Sequence, residues 1–355
     1  MRVSKPLVCA IASTVMMLGC GGGLRPPVQG RRAHAPVFQR GMSYVTWSKQ
    51  AYGADFSDSS LQRVKEVGAD WVALVPAWHQ AHYDSTQIGP TDASPSDESL
   101  IHAITTAHQL GLKVMLKPHV DLTEGASINW RGEIDFPNTS KWNEWFASYR
   151  QFIVHYATLA EAQRVDLFCV GTELSMSTLV HSDLWRSQII PAVRGVYHGS
   201  LVYAANWNDE YQNVKFWDLL DYAGLDPYFP LSDKDRPTSD ELKNAWKVPL
   251  EEIERWQQQI NKPVIFTEIG YSSATGAAKR PWENSPKGDV DLELQSDLYQ
   301  AVFETFWNRP WFHGMYCWYW GTNERMGGST HRGFIIQNKP VQSLVSAWYH
   351  KERML

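Results

Sequence analysis

Short, nearly uninterrupted apolar runs alternate along this chain with longer segments in which apolar residues recur every three or four positions. The runs predict eight strands: Gly41–Trp47, Trp71–Trp78, Lys113–Val120, Asp166–Thr172, Leu201–Trp207, Leu220–Asp226, Pro263–Glu268 and Gly314–Trp320. Several lack any polar alternation, as in VALVPAW, VMLKP and VIFTE. That is the signature of parallel strands covered on both faces rather than of hairpins with one wet face. The intervening segments have a helical period. Ser57 or Asp58 is the expected cap of a helix presenting Leu61, Val64 and Val67, stopped by Gly68. Ser96 repeats the plan ahead of Leu100, Ile101, Ile104, Ala107 and Leu110, stopped by Gly111. Ser140 is expected to open a longer helix carrying Trp145, Phe146, Tyr149, Phe152, Ile153 and Tyr156. Further helices are predicted over 183–197, 239–260, 291–307 and 340–350. Eight strand–helix units without a second zone of composition predict one α/β domain over 37–355, a closed (β/α)8 TIM barrel. An open doubly wound sheet is the rival, but the turn after the first strand reads TWSKQAYG where such sheets carry a glycine-rich turn.

The first 36 residues break this pattern. Arg2 and Lys5 precede a mostly apolar run, Leu7 to Leu18, which is far too short to span a bilayer and fits a secretory signal over 1–19. Its end, Met17-Leu18-Gly19-Cys20, resembles a bacterial lipobox, so Cys20 is the expected lipidation site; an ordinary signal peptide cleaved nearby is the alternative. Residues 20–36, rich in Gly, Pro and Arg, read as a flexible tether. The expectation is an exported protein, held at the periplasm, outer membrane or cell surface through its N-terminal lipid only. Of four cysteines, Cys9 would leave with the signal and Cys20 would carry lipid. Cys169 and Cys317 fall in strands four and eight, on opposite sides of a barrel, too far apart for a bridge, and are read as buried free thiols.

A net charge of -5 gives no reason to expect nucleic acid as a partner, and a monomer is expected. The 17 Trp and 15 Tyr change the picture more. Flat rings suit both a core and a groove that packs the apolar face of a pyranose.

In a parallel barrel the chemistry sits at the C-terminal ends of the strands. The polar and aromatic groups there are Trp47, Trp78-His79, Lys117-Pro118-His119, Asp121, Thr172-Glu173, Asn206-Trp207, Asp226-Pro227-Tyr228, Glu268 and Trp318 to Trp320. Glu173 ends strand four and Glu268 ends strand seven, nearly across the mouth. Retaining cleavage of a glycosidic bond needs two carboxyl groups roughly 5–5.5 Å apart, one to protonate the leaving oxygen and one to attack the anomeric carbon. The alternative for either Glu is a structural ion pair with a nearby Lys or Arg. His79, His82, His119 and Asp121 raise metal chemistry, but strand one lacks the His-x-His pair of barrel metallohydrolases, and no Gly-x-Ser-x-Gly elbow occurs. No metal and no cofactor are expected.

The segments VGTELS around Glu173, FTEIGY around Glu268, LKPHVD on strand three and CWYWG on strand eight resemble glycoside hydrolase family 113 over roughly 38–350. The resemblance implies a retaining (β/α)8 glycosidase that hydrolyses β-1,4-linked mannosyl backbones in mannan or mannooligosaccharides. It implies Glu173 as acid/base and Glu268 as nucleophile. One departure stands out: Thr172 occupies the place where the wider clan carries an Asn that helps hold the sugar 2-hydroxyl. The resemblance further implies that Tyr228 hydrogen-bonds the nucleophile, with a purely structural role as the alternative. Lys117 and His119 are expected toward the glycone subsite, with a buried network behind the site as the alternative. Trp78 is a further expected sugar contact at the mouth, and Asn206 and Trp207 are expected to meet substrate beyond the cut, with packing as the alternative. Trp320, nearer the strand end than Trp318, is the expected stacking platform. Loops 79–98, 121–140, 229–248 and 272–292 would set the substrate. Two other readings stand beside this one: the same machinery on another β-glycan or short β-glycoside, and a lipid-anchored glycan-binding protein without catalysis.

Overall fold

A computed structural model describes residues 36–125 and 129–354; the expected signal over 1–19, Cys20 and all of the expected tether but Pro36 lie outside the described residues. Eight parallel strands close on themselves: β1 (Gln39–Val45), β2 (Trp71–Leu74), β3 (Lys113–Leu116), β4 (Leu167–Thr172), β5 (Ser200–Asn206), β6 (Ala223–Asp226), β7 (Val264–Ile269) and β8 (Phe312–Gly321). Each neighbours the next in sequence, and β8 pairs with β1. The predicted barrel is the fold, in order and in register with the apolar runs.

Predicted strands two and three run long. Each breaks at a proline, Pro76 or Pro118, which has no N–H to give the ladder. The chain resumes as a separate two-stranded parallel extension, Ala77–Gln80 against His119–Leu122, with His79 opposite Asp121. The extension carries His119 and Asp121 above the rim of the barrel.

Two apolar layers hold the fold. Inside the barrel, Trp71, Met115, Leu167, Val202, Ile265 and Tyr316 form a separate cluster from the larger one between strands and helices. Tyr316 explains Gly41: a Cβ at position 41 would sit 2.3 Å from its ring. Outside, the long helix Thr139–Ala162 buries Trp145, Phe146, Tyr149, Phe152, Ile153 and Tyr156, the face its sequence period marks. Its cap is Asn138, not Ser140: the Asn138 Oδ1 accepts from the Lys141 N–H at 3.1 Å. Ser96 caps Asp97–Gln109 as expected, accepting from the Ser99 N–H. Ser57 does not cap. It lies inside helix Asp55–Glu66, fully buried, 2.8 Å from the Tyr44 hydroxyl, so tertiary contact took a residue that local pattern assigns to the cap. The segment predicted as one helix over 239–260 is two, Ser239–Ala245 and Lys247–Ile260, meeting at Trp246. Cys169 and Cys317 are free and buried.

Candidate active site

Three strands lose register at the barrel mouth. Between Cys169 and Thr172, β4 advances three residues while β5 advances two. Between Phe266 and Ile269, β7 gains one residue on β8. Between Cys317 and Trp320, β8 gains one on β1. A bulge leaves one residue unpaired and re-aims the side chains beside it. The three bulges sit beside or contain Glu173, Glu268 and Trp318.

These residues share one open cleft of about 1130 Å³ at the C-terminal ends of the strands. Glu173 follows β4 with a φ of 52°, a left-handed conformation costly for a side chain of this size. It is held there by its N–H to the Ala204 carbonyl at 2.8 Å, and the next N–H, of Leu174, donates to the Tyr203 hydroxyl at 2.9 Å. The Asn206 amide donates to Glu173 Oε1 at 2.8 Å, and Arg131 Nη1 lies 3.5 Å from Oε2. Burial, with the Glu268 charge second, pushes the Glu173 carboxyl up to about 7; Arg131 and Asn206 oppose the rise.

Glu268 has a different shell. Lys117 Nζ donates to Oε1 at 2.5 Å, the Tyr228 hydroxyl to Oε2 at 2.9 Å, and His119 Nε2 stands 3.6 Å from Oε1. Lys117 also reaches the Thr267 carbonyl, 3.3 Å away. His119 is held well below its ordinary range by burial, then by Arg131 and Lys117, so it is neutral. Its Nε2 is buried with no hydrogen-bond partner among the described residues. Asp226 lies beneath, accepting from the Thr267 hydroxyl at 2.6 Å; burial and Glu268 raise its carboxyl well above the carboxylate range. The two glutamates thus sit in one cleft in unlike environments, the condition for one to give a proton while the other attacks.

A family comparison decides what this constellation belongs to. The model of Glycoside Hydrolase Family 113 matches residues 42–339. The chain belongs to glycoside hydrolase family 113. A solved family 113 β-1,4-mannanase superposes with a TM-score of 0.80 at 30% identity, covering 89% of this chain and 100% of that one. The family 113 β-mannanase of Alicyclobacillus acidocaldarius, solved in complex with ManMIm, gives 0.78 at 29%, covering 88% and 97%. A β-glucuronidase from Ruminococcus gnavus gives 0.61 at 15%, covering 89% of this chain and half of that one, and shares the fold. A sequence comparison with curated proteins gives no match. The protein is therefore a glycoside hydrolase with a (β/α)8 barrel.

In this family 113 enzyme Glu173, Glu268, His119, Asn206, Trp207 and Tyr228 line the cleft together. Lys117 is not among the residues that line the cleft: it is fully buried behind Glu268, as in the buried-network alternative. Trp320 is misplaced by sequence reasoning. It is fully buried, its indole N–H donating to Ser60 at 2.9 Å under helix Asp55–Glu66. The bulge in β8 breaks the two-residue alternation, and Trp318 and Tyr319, joined by a cis peptide, line the cleft instead. Trp78 also lies elsewhere, packed against Phe152 and His155 beside a shallower groove of about 680 Å³. Three exposed rings complete the cleft: Trp47 (52% exposed), Trp130 (40%) and Trp282 (44%). Trp282 stacks on Trp207 with centroids 5.5 Å apart and planes 21° from parallel. Arg131, paired with Asp121 in the loop after β3, was invisible as a site residue because it follows no strand end. Glu210 was missed too. It is fully buried and accepts from Ser175 (3.1 Å), Thr178 (2.7 Å), Tyr203 (2.6 Å) and the Asn206 N–H (2.7 Å). The pattern TELS…NWNDE offers no period that singles it out.

Proposed function

We propose that this enzyme hydrolyses β-1,4-mannosidic bonds with retention, by double displacement. The observation that carries the mechanism is the unequal treatment of the two carboxyl groups. Glu268 is gripped by the Lys117 ammonium and the Tyr228 hydroxyl, which fix its oxygens for attack as a carboxylate. Glu173, buried and raised to about 7, keeps a proton for the leaving oxygen in a large share of molecules near neutral pH. In the second half Glu173 takes a proton from the attacking water, and the ester to Glu268 breaks. His119, neutral and lining the cleft beside Glu268, with its Nε2 lacking a hydrogen-bond partner among the described residues, is a hydrogen-bonding group for a hydroxyl of the bound sugar. Trp318 and the stacked pair Trp207–Trp282 supply flat faces for pyranose rings.

Mannan is favoured as substrate by the two solved β-mannanases at 30% and 29% identity, each covered nearly end to end. The test is reducing-sugar release by residues 34–355 from linear β-1,4-mannan, glucomannan, cellulose and xylan, with Glu268→Gln as control. Release from the two mannans, lost in the control, supports the reading. Release from another glycan alone removes mannan and keeps the carboxylates. Binding without cutting in both proteins removes the catalytic reading. Proton NMR of the first product checks retention: the inverted anomer appearing first sinks the double displacement.

A further inference from the structure

Arg131 enters the cleft from an unexpected direction. It opens a short 3-10 turn, Arg131–Glu133, in the loop after β3, and no strand of the barrel carries it. Its guanidinium is tied to Asp121 through both Nε and Nη2, on the same oxygen. Asp121 is itself fixed in the two-stranded extension, in register with His79. This leaves Nη1 pointing at Glu173 Oε2, 3.5 Å away. Among the described residues, Arg131 is the one cation in ion-pair range of Glu173. The other charges that Glu173 faces are carboxyl groups: Glu268 from β7, Asp226 from β6 and Glu210 after β5. The Tyr228 hydroxyl and the Asn206 amide complete its neighbours, while Lys117 is spent on Glu268 and His119 is neutral.

We propose that Arg131, clamped by Asp121, is the positioning charge that turns Glu173 from acid into base between the two halves of the reaction. This rests on the reading of Glu173 and Glu268 given above. In the free enzyme the Glu268 charge opposes ionisation of Glu173 and outweighs the guanidinium, whose charge is shared with Asp121. In the first half the Glu173 proton passes to the glycosidic oxygen, the alcohol leaves, and a Glu268 oxygen bonds to the anomeric carbon. Glu268 is now an uncharged ester. The field at Glu173 is then dominated by Arg131, which stabilises the carboxylate that must accept a proton from the incoming water. The 3.5 Å spacing suits such an exchange, because a tight ion pair would keep Glu173 ionised throughout.

The experiment compares wild type, Arg131→Met and Asp121→Asn on mannooligosaccharide and on a dinitrophenyl β-mannoside, whose leaving group needs no proton. Circular dichroism and melting establish that each is folded. In Arg131→Met the alkaline limb of kcat/KM on the oligosaccharide moves up by about one pH unit. On the aryl glycoside a burst appears, because Glu173, without the cation that stabilises its carboxylate, stays protonated in the glycosyl-enzyme and breakdown slows by about tenfold or more. Asp121→Asn leaves the cation unshared, so the alkaline limb moves down, the opposite sign. A uniform fall in kcat with both limbs unmoved and no burst overturns the proposal. So does an Asp121→Asn limb that stays or rises, which also decides the matter if Arg131→Met fails to fold. Failure of the underlying reading is separately visible: Glu173→Ala with azide would then yield no β-glycosyl azide.

Discussion

At the scale of single residues, it is the partners around each carboxyl that separate two chemically identical, buried side chains: Lys117 and Tyr228 on Glu268, Asn206 and Arg131 on Glu173. Glu173 has its carboxyl raised to about 7, burial first and Glu268 second. In the proposed mechanism its proton is needed for departure of the leaving group, so kcat/KM is expected to fall as pH rises through about 7, and Glu173→Gln to abolish that limb together with most turnover on unactivated substrates. The same shift acts on stability. A carboxyl whose folded pKa is raised costs the fold free energy wherever it must ionise, so the penalty is absent below the unfolded value and grows as pH rises toward and through about 7. Glu173→Gln should therefore melt a few degrees above wild type at about pH 8 and converge with it near pH 4, as read by calorimetry; no gap on the alkaline side contradicts the shift. The tryptophans make a second contrast. Trp318→Ala, in the cleft, should cut kcat/KM by about ten-fold or more with little change in melting. Trp320→Phe, under a helix and bonded to Ser60, should cost about 1–2 kcal/mol of stability in denaturant titration and leave kcat near wild type. Reversed outcomes would restore Trp320 as the sugar platform.

At the scale of elements, the departures from regular geometry carry the site. Apolar runs made β4, β7 and β8 legible, and a two-residue alternation was the natural guide to which side chains face the mouth. The bulges at 169–172, 266–269 and 317–320 break that alternation, which is why strand-end position put Glu173 and Glu268 in the cleft while Trp320 was preferred to Trp318, the ring that lines it. Bulges depend on how neighbouring strands pair, and the sequence of one strand does not display its partner's register. Glu210 ties these elements together, receiving donors from helix Ser175–Val180, from β5 and from the Asn206 N–H. Replacing it by Leu strands three hydroxyls and an N–H in the core. The expected loss is about 3 kcal/mol or more, with Asn206 and hence Glu173 misplaced. Equilibrium unfolding and kcat should fall together; a stable, active Glu210→Leu would show that the network is idle.

At the scale of the whole molecule, the cleft extends past the carboxyl groups to exposed rings on several loops. Trp282, from the 272–292 segment, stands outside the catalytic pair and stacks on Trp207. Trp282→Ala should raise KM for polymeric mannan several-fold and leave hydrolysis of a short aryl mannoside unchanged; equal effects on both would place the ring elsewhere in the reaction. The N-terminal segment bears on location rather than chemistry, and we propose that Cys20 anchors the barrel to a membrane. Expressed in a bacterium with its leader, the protein should partition into detergent and lose that behaviour on Cys20→Ala. Aqueous partition of both would leave only a cleaved secretory signal.

The amino-acid sequence by itself determined the barrel, because buried parallel strands must be apolar throughout and amphipathic helices must repeat between them. It also placed Glu173 and Glu268 at the barrel mouth, where both line the cleft, since strand ends are where polar side chains have no core to fill. Only the tertiary structure decided which Trp meets the cleft, that Lys117 lies behind Glu268, and that Arg131 and Glu210 belong to the site. Those placements follow from strand register, proline breaks and loop return, which bring together residues as far apart as the 151 positions between Lys117 and Glu268. Periodicity records which face of an element is buried; it holds no record of what stands opposite.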